Sequence, residues 1–87
     1  MLELADQLGL SLEQRQHVQN LFETMKDEAV PLGEKLIEQE TALDREFADQ
    51  SISRSSLARL TAQIAETQGR LRTVHLKYHL TTAEILT

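Results

Sequence analysis

The chain has 87 residues, enough for one small domain, and carries nine Lys and Arg against fourteen Asp and Glu, a formal charge of −5. That balance argues against a nucleic-acid partner, whose phosphates want a basic stripe, and against an anionic membrane surface. With no Cys there is no disulfide framework or thiolate chemistry, and with one Tyr, two Phe and no Trp a compact β fold is not expected.

The first predicted element is a short amphipathic helix over about residues 2–8, stopped by Gly9, a residue suited to the left-handed position after a helix. The opening MLELADQ holds acids where a leader peptide needs bases. No stretch of the sequence approaches the ~20 apolar residues of a membrane span.

A long helix over about residues 11–49 follows. Ser11 and Gln14 form a capping-box pattern: the hydroxyl accepts from the Gln14 N–H while the Gln14 side chain reaches back. Apolar residues then step by four and three, through Val18, Phe22, Met25, Ala29, Leu32 and Leu36 to Leu43 and Phe47, with Gln39 interrupting. A period near 3.5 is a helix-packing seam rather than a strand pattern. Pro31 removes one backbone bond and crowds the Asp27 carbonyl, so a kink is expected there, loosened further by Gly33. The seam keeps phase on both sides, which predicts one bent helix and not two.

The stretch ADQSISRSS breaks the pattern and offers Ser51, Ser53, Ser55 and Ser56 as caps for a second long helix over about residues 54–86. Its seam runs through Leu57, Leu60, Ile64, Thr67, Leu71, Val74, Tyr78, Thr81 and Ile85. The fold class is therefore all-α. An antiparallel hairpin of two helices, each on the order of 50 Å long, forms a single domain over residues 1–87 together with the short N-terminal helix. Charge agrees with the pairing, since residues 11–50 hold ten acids and four bases and residues 51–87 hold five bases and two acids. Leu21, Ile37, Leu76 and Leu80 lie off the seam, and covering them predicts a homodimer.

No Gly-rich phosphate loop and no oriented nucleophile–base set is present, so an enzyme is not expected. Glu38 and Glu40 belong to an acidic solvated face. The candidate site is in VHLKYHL, where His75 and His79 stand one helical turn apart. Imidazoles so placed can chelate one divalent ion. In the hairpin register, facing residue numbers add to about 103, which sets Glu28 level with His75 as a third ligand, near Glu23 and Asp27. Met25 is a soft alternative, and His17 is two turns away. Without thiolate, this donor set suits Zn, Ni, Co or Cu. The same two histidines could instead hydrogen-bond a neighbouring carboxylate and do no more.

LGLSLEQRQHVQNLFETMKDEAVPLGEKL resembles the first helix of the bacterial periplasmic LTXXQ group, which holds the Spy, CpxP, ZraP and CnrX types. LRTVHLKYHLTTAEILT is similar to the second long helix of its heavy-metal-resistance branch. Leu10-Ser11-Leu12-Glu13-Gln14 has Ser in place of the family Thr, which keeps the capping hydroxyl, and a second copy would begin at Leu86-Thr87, where the sequence stops. The resemblance implies a dimeric hooked hairpin in the periplasm, with one of two functions. One is a metal-binding sensor or resistance domain, in which His75 and His79 correspond to ligands of the family. The other is an ATP-independent chaperone or envelope-stress regulator that cradles unfolded periplasmic proteins or docks on a membrane signalling partner.

Overall fold

The structure, a computed structural model, describes residues 9–86. The helix expected over about residues 2–8 lies outside them. Two helices, α1 (Leu12–Ala48) and α2 (Arg54–Leu86), pack as an antiparallel hairpin, and there is no strand among the described residues. The molecule measures 57 × 19 × 17 Å with a radius of gyration of 18.6 Å. A compact chain of this length would have a radius near 12 Å. The protein is a rod two helices wide and one helix thick, so each side chain has either the seam or the solvent to face.

Local chemistry sets the ends of the rod. At the start of α1 the Ser11 Oγ accepts from the Gln14 N–H at 3.0 Å, and the Gln14 Oε1 accepts from the Ser11 N–H at 3.0 Å. Both halves of the capping box are therefore made. At the far end Gln50 takes φ 58°, in the left-handed region. Its N–H donates to the Phe47 carbonyl at 3.2 Å, and the Ser51 N–H donates to the Glu46 carbonyl at 2.9 Å. This pair of bonds is the Schellman closure of a helix, with Gln where Gly usually stands. Among the four candidate serines, Ser53 caps α2. Its Oγ accepts from the Ser56 N–H at 3.0 Å, and the Ser56 Oγ accepts from the Ser53 N–H at 2.9 Å.

α1 is helical on both sides of Pro31 and through it. The seam follows the three-and-four spacing of the sequence except beside the turn, where Phe47 and Leu57, both expected on it, are exposed, and the enclosed core is small. Among the described residues only Leu60, Ile64 and Thr67 are buried, all within the first half of α2, and the Thr67 Oγ1 donates to the Gln63 carbonyl at 3.1 Å. Towards the open end the rings of Phe22 and Tyr78 meet edge-on, and the Gln14 Nε2 donates to the Ile85 carbonyl at 3.3 Å. Gln14 thus closes its own helix cap and ties that cap to α2. Leu12, Val30, Ile37, Phe47, Leu57, Leu76, Leu80 and Leu86 remain exposed, far more apolar surface than the seam can use.

Candidate metal site

His75 and His79 lie on α2, where residues advance by about 100° each, so their side chains leave the helix about 40° apart on one flank. Both are exposed. They line a shallow groove with Leu36 of α1 and with Gln68, Leu71, Arg72 and Leu76 of α2. Tyr78 borders this flank on the seam side, its ring centroid 5.6 Å from that of His79 at a tilt of 56°.

Glu28 is not beside them. It lines grooves with Lys77, Val74 and Tyr78, together with Leu21, Thr24 and Met25 on one stretch and Pro31, Gly69 and Arg70 on the next. Lys77 and His79 are about 200° apart around α2, with Tyr78 between them on the seam. Glu28 and the histidine pair therefore occupy opposite flanks of the hairpin at the same height. The expected register sets Glu28 level with His75, but level alone ignores which side of the seam a residue faces. Glu23 and Asp27 are exposed on α1, Glu23 accepting from the Gln19 Nε2 at 3.1 Å, and His17 is exposed nearer the start of that helix. Met25 lies half-buried in the seam.

Among the described residues no group of three His, Cys, Asp or Glu converges on a point. One chain accordingly offers a two-nitrogen chelate on a solvent-facing flank. A divalent ion held there would complete its coordination with water or with a donor from another molecule. Two imidazoles one turn apart fit that reduced role, while the three-ligand set with Glu28 does not form within the chain. Sequence spacing carries a further signal. Gln68, Arg72, His75 and His79 step by four, three and four and share one face, so the polar neighbours of the pair are an amide and a cation, and the rest of the groove is leucine.

No helix among the described residues is long and apolar enough to cross a membrane. Compared with known protein families, with curated proteins and with solved structures, the chain matches none.

Proposed function

We infer that this hairpin is a metal-binding sensor or resistance domain of the LTXXQ type, located in the periplasm and acting as a homodimer. The observation that carries the reading is the shared exposure of His75 and His79 on one flank, in one groove, a turn apart. Two neutral imidazoles at this spacing bind a divalent transition metal without help from thiolate, and their intrinsic preference follows the order that peaks at copper. The remaining ligands come from water or a second protomer. A bend of α1 at Pro31 belongs to the same proposal, since it would let the rod curve around a partner.

Calorimetric titration with Zn²⁺, Ni²⁺, Co²⁺ and Cu²⁺ tests it. Saturable binding that disappears in the His75→Ala/His79→Ala double variant is the expected result. Equal binding by parent and double variant would remove the metal role.

The extended apolar surface favours a second reading, an ATP-independent chaperone for unfolded periplasmic proteins or a regulator docked on a membrane signalling partner. Eight large apolar side chains stand exposed along a rod that buries only three residues among those described. Suppression of aggregation of an unrelated unfolded protein, without nucleotide and without metal, would support this reading. No suppression at several-fold molar excess would discard it.

A further inference from the structure

We propose that the outer face of α2 in one molecule docks antiparallel on the outer face of α1 in a second copy, through a second pair of heptad stripes that the hairpin seam leaves free. On α2 the stripe passes through Ala65, Gly69, Arg72, Leu76 and His79, stepping by four, three, four and three. On α1 it passes through Asp27, Val30, Glu34, Ile37 and Thr41, stepping by three, four, three and four. All ten residues are exposed, Leu76 at 53%, Val30 at 49% and Ile37 at 67%. Run antiparallel, the two step patterns coincide, so one alignment brings every pair face to face.

That alignment is chemically matched along its length. It sets Leu76 against Val30, Arg72 against Glu34, His79 against Asp27, and Ala65 against Thr41, while Gly69 faces the larger Ile37. Other alignments match less completely. Sliding by one heptad sets Leu76 against Glu23 in one direction; in the other it keeps Leu76 against Ile37 and His79 against Glu34 but leaves Arg72 against Thr41 and Gly69 against Asp44. A parallel docking puts Leu76 against Asp27, Glu34 or Thr41. The net acidity of residues 11–50 and net basicity of residues 51–87 favour α1-on-α2 contact over contact of either helix with its own copy.

Gly69 gives a separate indication. Glycine in the middle of a helix weakens it, and a Cβ added at Gly69 would meet nothing within 4 Å. Nothing inside the hairpin requires the missing side chain, whereas a neighbouring helix presenting Ile37 at close range does. Because one copy contributes α2 and the other α1, the contact is heterologous. Each pair leaves one free stripe at either side, and association continues as an open chain unless something caps it. The homodimer proposed above is a separate, symmetric contact in which one patch meets itself, through apolar residues outside these two stripes such as Leu80.

The absence of Cys makes the test direct. Val30→Cys and Leu76→Cys variants, distinguishable by mass, are mixed and oxidised in buffer containing a metal chelator. The expected product is a disulfide joining Cys of one variant to Cys of the other. Predominant Leu76→Cys homodimers, or no bridged species at high micromolar concentration, overturn the proposal. Sedimentation velocity supplies the second readout. Arg72→Glu should weaken association by up to about fivefold, and mixing it with Glu34→Arg should restore it, because each exposed pair contributes up to ~1 kcal/mol. Failure of the mixture to recover overturns the assigned register. Neither arm involves metal, so the outcome is independent of the metal-binding reading.

Discussion

Phe22 of α1 meets Tyr78 of α2 edge-to-face, with ring centroids 6.1 Å apart and planes at 63°. The same Tyr78 separates Lys77 on one flank from His79 on the other, so this ring contact sits on the divide between the Glu28 side and the histidine side. Edge-to-face pairs contribute ~0.5–1.5 kcal/mol beyond the area they cover. Phe22→Leu, which keeps an apolar side chain at the seam, should therefore lower stability by about 1 kcal/mol in chemical denaturation. An unchanged midpoint would mean that the ring geometry contributes nothing beyond contact area.

The helix closure at Gln50 predicts an easy gain. A non-glycine residue in the left-handed region is disfavoured by roughly 1 kcal/mol or more, and Gly removes that strain at the expense of extra freedom in the unfolded chain. Gln50→Gly should raise stability by about 0.5–1 kcal/mol, read as an increase of a few degrees in melting temperature. A fall in melting temperature would show that the Gln50 side chain supports the turn in a way its backbone angle does not reveal.

Ser11→Ala removes the acceptor for the Gln14 N–H and should destabilise the protein by about 1 kcal/mol. Gln14→Ala removes more. It deletes the return bond to the Ser11 N–H and also the bridge to the Ile85 carbonyl. Thermal melts of the two variants side by side check the order, and a Gln14→Ala protein more stable than Ser11→Ala contradicts it.

Truncation along α2 should have very unequal effects. Leu60 is 6% exposed and Ile64 8%, so Leu60→Ala and Ile64→Ala should each lose about 2–4 kcal/mol. Leu80 is 64% exposed, and Leu80→Ala should fall within about 0.5 kcal/mol of the parent at concentrations where the protein is monomeric. A large loss at Leu80 under those conditions would mean that this side chain is covered within a single molecule.

The metal reading predicts a specific pattern of residues. His75→Ala and His79→Ala should each abolish metal-dependent stabilisation, which for the parent reaches ~2.7 kcal/mol at a hundredfold excess over the dissociation constant. Glu28→Ala should leave it unchanged, because Glu28 lines grooves on the other side of the seam. Thermal shift with Zn²⁺ measures all of this. A Glu28→Ala variant that loses binding together with the histidine variants would place the carboxylate back in the site.

The fold was readable from the sequence because a rod of two helices is governed by periodicity. The three-and-four spacing, the Ser11–Gln14 cap and the serine-rich break predicted helices over 11–49 and 54–86, against Leu12–Ala48 and Arg54–Leu86 in the structure. Gln50 was not readable as the closing residue, since a left-handed helix end is ordinarily signalled by Gly or Asn. For the site, the pairing of His75 and His79 follows from their one-turn spacing, but the placement of Glu28 does not follow from level. A register that adds residue numbers treats each helix as a line and loses its circumference. Counting about 100° per residue from Tyr78 puts Lys77 and His79 on opposite sides, and that rotation decides which residues share a groove.

The concentration of buried side chains beside the turn has a kinetic consequence. Leu60, Ile64 and Thr67 follow on the Ser53 cap, so packing them on α1 closes shorter loops than packing near the termini does. Short loops lose little entropy on closure, and chains dominated by such contacts fold in microseconds to milliseconds. The hairpin should zip from its tip towards its termini. Amide hydrogens around Leu60 to Thr67 should then exchange with solvent most slowly, and those near Gln14 and Ile85 should exchange through fraying. The histidine pair, set in the later part of α2, would sit on the portion that opens first.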